Sequence, residues 1–110
     1  MYERTRYPLR EGLIEAHEKV WESIAEPGPF WTGTERVAMV LESRAATSCR
    51  LCAKRRQALS PYAVDGVHDN ETDLDAVIVD MIHRIRSDPG RITRNMFDQV
   101  MAAGITPEHY

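Results

Sequence analysis

Apolar residues recur at three- and four-residue intervals along most of the chain, and strict alternation never persists, so the pattern predicts helices and no strand. The first stripe is Leu9, Leu13, Ala16, Val20, Trp21 and Ile24. It follows Pro8, a residue suited to the first helical position, and predicts an amphipathic helix running to about residue 26, with His17 on its flank. Pro27-Gly28-Pro29 breaks that helix, and Phe30 and Trp31 follow as aromatic plugs for the core. Thr32 and Glu35 have the spacing of a Thr-X-X-Glu capping box, with Thr34 as an alternative cap. The second helix then runs to about residue 46, burying Val37, Val40, Leu41 and Ala45 and turning Glu35, Glu42 and Arg44 to other faces.

Ser48 reads as the N-cap of a third helix over residues 50–59, ended by Ser60-Pro61-Tyr62 and followed by a loop over 63–70. Thr72, Asp73 and Asp75 open a fourth helix with a clean stripe of Leu74, Val77, Ile78, Met81, Ile82 and Ile85. His83 lies off that stripe beside Arg84 and Arg86, which places it at the surface. Ser87-Asp88-Pro89-Gly90 stops the helix. Thr93 caps a fifth helix that buries Met96, Phe97, Val100 and Met101 and closes at Gly104. Thr106-Pro107-Glu108 has the order of a helix start, so it is expected to dock as an isolated turn or to begin a helix that the natural chain continues.

These elements make an all-α fold of about five helices in a single domain over residues 1–110, with an N-terminal helix over 1–26 and the remaining core over 30–110. Charged residues at 28% and hydrophobic residues at 43% suit a folded rather than a disordered chain. The net charge of −3 supplies no global drive toward nucleic acid. No apolar run approaches the roughly 20 residues that span a bilayer, and no signal-like apolar segment follows the N-terminus. A cytoplasmic, reducing location and no membrane partner are expected. There, a cysteine pair is more often reactive than structural.

Both cysteines lie in one motif, Ser48-Cys49-Arg50-Leu51-Cys52, with Lys54, Arg55 and Arg56 behind it. A thiol reacts as its thiolate, which a helix N-terminus, nearby cations and a Cys-X-X-Cys partner all favour. On charge alone, Cys49 is the more acidic of the two, and the one-turn spacing allows a disulfide. Cys-X-X-Cys is also half of a zinc site, but His17, His68, His83 and His109 lack the His-X(3-5)-His spacing of the other half, so no metal or cofactor is expected. Inert packing is the remaining reading. The acidic loop around Asp65 and Asp69 fails the alternation of a calcium loop. His68 in that loop is a candidate proton shuttle, and Glu35 and Glu42 are candidate bases whose default is a solvated charge.

Thr34-Glu35-Arg36, Ser48-Cys49-Arg50-Leu51-Cys52, and Asp88-Pro89-Gly90-Arg91-Ile92-Thr93 followed by Ala103-Gly104-Ile105-Thr106 resemble the alkylhydroperoxidase D and carboxymuconolactone decarboxylase superfamily over about residues 27–110. The resemblance implies an all-helical fold, a trimer or hexamer, further C-terminal helices, and peroxide reduction through the cysteine pair with a thiol reductant. It makes Cys52 the attacking residue and Cys49 its disulfide partner. The sequence departs from the family at Arg56 and Leu51, where the family has histidines, and near Val37, where it has a relay glutamate. Three functions are therefore weighed: a thiol peroxidase or disulfide reductase using Cys49 and Cys52 with Glu35, Glu42 or His68; an oligomeric binding member of the same fold with vestigial cysteines; and a cysteine-independent decarboxylase.

Overall fold

The computed structural model describes residues 2–110, and every regular element in them is helical. Five α-helices follow in order: α1 (Glu11–Ala25), α2 (Gly33–Ala45), α3 (Arg50–Gln57), α4 (Ala76–Ser87) and α5 (Arg94–Ala102). Short 3-10 turns at Ala46–Ser48, Pro61–Ala63 and Pro89–Arg91 join them. No helix among the described residues is long and apolar enough to cross a membrane.

The capping box forms as the spacing predicts: Thr32 Oγ1 accepts from the Glu35 backbone N–H at 3.2 Å, and the Glu35 carboxylate accepts from the Thr32 N–H at 2.8 Å. Thr93 likewise caps α5, accepting from the Met96 N–H at 3.4 Å. Gly104, at φ +97°, lets the chain leave α5 in a left-handed turn that only glycine adopts without strain. A Cβ at Gly33 would collide with the Ala25 carbonyl oxygen, so the close approach of α2 to the end of α1 depends on glycine.

Ser48 is not the cap of the cysteine helix. It lies in the 3-10 turn, and its hydroxyl donates back to the Ala45 carbonyl at 3.3 Å. Cys49 itself occupies the N-cap position, because the turn closes one residue later than the hydroxyl pattern suggests. At the other end, Arg91 reaches across from the third 3-10 turn and donates to the carbonyls of Ala58 (2.6 Å), Arg55 (2.8 Å) and Arg56 (3.1 Å). That guanidinium satisfies orphan carbonyls where the helix dipole is negative, and it ties α3 to the segment after α4.

One core cluster joins Ala46, Cys49, Leu51 and Cys52 with Val64, and the other joins Ile78, Met81 and Val100 with side chains that include Trp31, Met39 and Met101. In α2 the expected face is rotated. Val37 and Leu41 are exposed, whereas Glu42 is fully buried beside Ala45 and Ala46. His83 is also fully buried, contrary to its expected surface position. The two corrections share a cause: each residue is the hydrogen-bond partner of the other, so the pair turns the face of α2 and widens the buried face of α4, whose Ile78 and Met81 stay in the core as the stripe predicts.

Helix α1 buries no residue completely, and Leu13, Val20 and Trp21 on its stripe are exposed. The radius of gyration, 16.3 Å, exceeds the roughly 13 Å of a compact domain of this length. The 106–110 segment docks as an isolated turn, with the His109 ring 5.0 Å from Phe30 and 5.2 Å from Trp31 between centroids.

Candidate functional site: two cysteines, two histidines and their carboxylates

Four side chains converge between α3, α4 and the loop that connects them. The Sγ atoms of Cys49 and Cys52 and one ring nitrogen each of His68 and His83 all lie within 4.8 Å of one another. Cys49 Sγ and Cys52 Sγ are each 3.5 Å from His68 Nδ1, and Cys52 Sγ is 3.3 Å from His83 Nδ1. Both cysteines are buried free thiols. The imidazole rings stand 4.3 Å apart between centroids.

Behind each histidine is a carboxylate. His83 Nε2 lies 2.8 Å from Glu42 Oε2, and His68 Nε2 lies 2.8 Å from Asp80 Oδ1. An imidazole whose Nε2–H is given to a carboxylate turns Nδ1 toward the sulfur, as a lone pair when the ring is neutral and as a donor when it is protonated. Glu42 is held in turn: its Oε1 accepts from the Glu71 N–H (2.9 Å), the Thr72 N–H (2.8 Å) and the Thr72 hydroxyl (2.7 Å). Asp80 accepts from Arg55 (2.7 Å) and Arg84 (2.7 Å) as well as from His68. No buried side-chain nitrogen or oxygen among the described residues lacks a partner.

The electrostatics separate the two thiols. Burial raises the Cys49 thiol, but hydrogen bonds from the Cys52 and Asp69 backbone N–H groups and from the side chains of His68 and Cys52 outweigh it and lower its pKa from 9.0 to about 6. Burial, reinforced by the neighbouring Cys49, pushes Cys52 up to about 11. Burial also works against a charged His68, but Asp80 and Cys49 overcome it and raise its pKa. Burial of Glu42 is offset by Thr72, His83 and the backbone donors, which together hold its carboxyl below the ordinary value. The pair thus favours one thiolate and one thiol at neutral pH, with the proton shared between coupled sites.

Cys52 borders a small cavity of about 20 Å³, lined also by Arg55, His68, Arg84 and Arg91. That is room for about one water-sized group beside the sulfur. A wider cleft of about 330 Å³ reaches His68 and Asp80 from the loop side.

Of the residues nominated from sequence, Cys49, Cys52, His68 and Glu42 meet here. Glu35 does not: its carboxylate is committed to the Thr32 cap, two turns or about 10 Å along α2 from Glu42. The pattern missed His83 and Asp80, and it placed Arg55 only within the basic run behind the cysteines. Asp80, His83 and Ser87 recur at the i, i+3, i+7 spacing of a buried helix face, and that was the available signal. The two histidines beside the cysteines come from the loop before α4 and from α4 itself.

No family model, no curated protein and no solved structure matches the chain. Its function is therefore read from the site.

Proposed function

We propose that the chain is a thiol redox protein, a peroxide or disulfide reductase that cycles between the Cys49/Cys52 dithiol and its disulfide. The observation that carries this reading is the buried relay Cys52–His83–Glu42, with a base on the sulfur and a carboxylate fixed behind that base. A reducing protein of this kind needs a thiol at a cavity, a group that moves its proton, and a second sulfur within reach. Inert packing explains none of the three.

In the peroxide reaction His83 Nδ1 takes the proton of Cys52, and the resulting thiolate attacks the nearer oxygen of a hydroperoxide. The O–O bond breaks, the sulfur becomes a sulfenic acid, and the departing alkoxide takes the proton from His83 to leave as an alcohol. The Cys49 thiolate then attacks the Cys52 sulfur and expels hydroxide, which His68 protonates to water. The product is a Cys49–Cys52 disulfide, which an external dithiol reduces to close the cycle. With a disulfide substrate the same thiolate attacks sulfur in place of oxygen. Arg55, Arg84 and Arg91 around the cavity favour an oxyanion leaving group.

The assignment of roles agrees with the resemblance to alkylhydroperoxidase D proteins, in which the second cysteine attacks, and His83 supplies the base that the Arg56 position does not. Assembly of several copies, a trimer or hexamer by the same resemblance, is supported by the exposed Leu13, Val20 and Trp21 on a helix that buries none of its residues. A reducing compartment such as the cytoplasm suits the free thiols.

The test is consumption of hydrogen peroxide and an organic hydroperoxide by the reduced protein with a small dithiol as reductant. Turnover that is lost in both Cys49→Ser and Cys52→Ser, with sulfenic acid trapped only when Cys52 is present, supports the reading. No turnover by the wild-type protein with either peroxide or disulfide contradicts it and leaves the oligomeric binding protein with vestigial cysteines.

A further inference from the structure

The same four donor atoms have the arrangement of a closed metal site. We propose that Cys49, Cys52, His68 and His83 bind one zinc ion per chain in the reduced protein, and that zinc and the disulfide are mutually exclusive states of the cysteine pair. The zinc site stands on donor geometry alone. Only its exclusion by oxidation rests on the redox reading above.

Zinc bonds of about 2.3 Å to sulfur and about 2.0–2.1 Å to nitrogen, set tetrahedrally, separate a sulfur from a nitrogen by about 3.5–3.6 Å. Three of the four sulfur–nitrogen distances in the cluster are 3.5, 3.5 and 3.3 Å, and all four donor atoms lie within 4.8 Å of one another. These three pairs match a single tetrahedral ion to within a few tenths of an ångström, and the other donor pairs lie close enough for side-chain rotation to complete the set. Two thiolates neutralise its charge, and neutral imidazole Nδ1 atoms complete a Cys2His2 set.

The outer partners argue further for a metal. Each histidine directs Nδ1 inward because its Nε2–H is held by a carboxylate, Asp80 for His68 and Glu42 for His83, which is the carboxylate–histidine arrangement that orients metal ligands. Cys49 Sγ also accepts from the Asp69 N–H at 3.4 Å, a bond suited to a charged sulfur. Four protein donors leave no open coordination position, so the ion is structural or regulatory and does not itself activate water. The site escapes a search for finger spacing because its ligands come from an N-cap, a helix, a loop and a second helix, with 15 residues between Cys52 and His68 and 14 between His68 and His83.

Zinc occupies the lone pairs that the redox step uses, so the loaded protein resists peroxide. Once oxidation does occur, the two sulfurs give two electrons to one hydroperoxide. The S–S bond forms, the O–O bond breaks, two solvent protons complete alcohol and water, and the metal leaves as the dication. Zinc occupancy would thereby gate the pair.

The experiment titrates the full-length, reduced, chelator-treated protein with zinc against a chromophoric competitor and with cobalt(II) as a spectroscopic probe. The expected result is one equivalent per chain, with a thiolate-to-cobalt charge-transfer band and the intense visible bands of tetrahedral cobalt. His68→Ala and His83→Ala should weaken zinc binding by about 100-fold or more, and Asp80→Asn and Glu42→Gln by about 10- to 100-fold, the scale of an outer-partner loss. An octahedral cobalt spectrum, or no stoichiometric binding to folded wild-type protein, overturns the site whether or not the variants fold. In a second arm, peroxide is added to zinc-loaded protein and both metal release and disulfide are counted. Release in a one-to-one ratio with disulfide is expected, and disulfide formed with zinc retained overturns the exclusion. Peroxide turnover by the metal-free protein is scored separately, so failure of the zinc site and failure of the redox reading give different results.

Discussion

Glu42 and His83, 41 residues apart and on different helices, are both fully buried and meet through a 2.8 Å hydrogen bond. Glu42 gathers three further donors from Glu71 and Thr72, so one carboxylate holds together α2, α4 and the entrance to α4. Glu42→Ala leaves these donors facing no acceptor, and the cost expected for a broken buried pair is about 3–5 kcal/mol. Glu42→Gln keeps the volume and one acceptor oxygen, so it should lose less stability while slowing turnover about 100-fold through the weakened base. Urea unfolding of the two variants beside their peroxide kinetics separates the structural from the chemical role.

Cys49 and Cys52 give the metal-free, reduced protein a characteristic pH profile. Cys49 is lowered from 9.0 to about 6 on folding, so between pH 6 and 9 the unfolded state binds the extra proton and the pair's contribution to stability rises with pH. Cys52 is raised from 9.0 to about 11, so between pH 9 and 11 the folded state holds the extra proton and the contribution falls. The difference in denaturation midpoint between wild type and a Cys49→Ser/Cys52→Ser double variant should peak near pH 9. A flat difference across this range contradicts the assignment.

Arg91 donates to three carbonyls at the end of α3. Arg91→Ala should destabilise the fold by about 2 kcal/mol, the scale of lost hydrogen bonds to a charged group. Because Arg91 also lines the cavity beside Cys52, faster alkylation of Cys52 should accompany the loss. Arg94→Ala, which removes an exposed ion pair with Asp98 and a cation–π contact with the Phe97 ring, is the control and should cost about 1 kcal/mol or less.

The stripe of α1 predicts self-association. Light scattering on the eluting protein should give a mass of several chains. Trp21→Glu together with Val20→Glu should reduce it to a single chain while leaving the helical signal in place, since both residues are exposed within one chain. A monomeric wild type would remove the assembly from the account.

The helices were legible because their ends carry local chemistry: Thr32 with Glu35, Thr93, the Pro27-Gly28-Pro29 break and Gly104 each act within a few residues. The site was legible only in part. Cys49 and Cys52 declare themselves by spacing, but His83 and Glu42 look like surface residues until their partner across the core is known. Buried polar pairs defeat a search for apolar stripes in this way. Glu42 does carry a trace, since Ala38, Ala45 and Ala46 flank it at i−4, i+3 and i+4, the small neighbours of a closely packed face. His68 was flagged by type, and its position depends on a loop fold that no local pattern encodes. The cap of α3 was misplaced by one residue, from Cys49 to Ser48, because a 3-10 turn absorbed the serine.

The most direct measurement of the central claim is the intact mass of the reduced, metal-free protein after one equivalent of peroxide, with Cys49→Ser and Cys52→Ser alongside. The account predicts loss of two hydrogens in the wild type, gain of one oxygen in Cys49→Ser, where the Cys52 sulfenic acid is stranded, and no rapid change in Cys52→Ser. Wild-type protein whose mass is unaltered by peroxide, with both thiols still titrating, would contradict it.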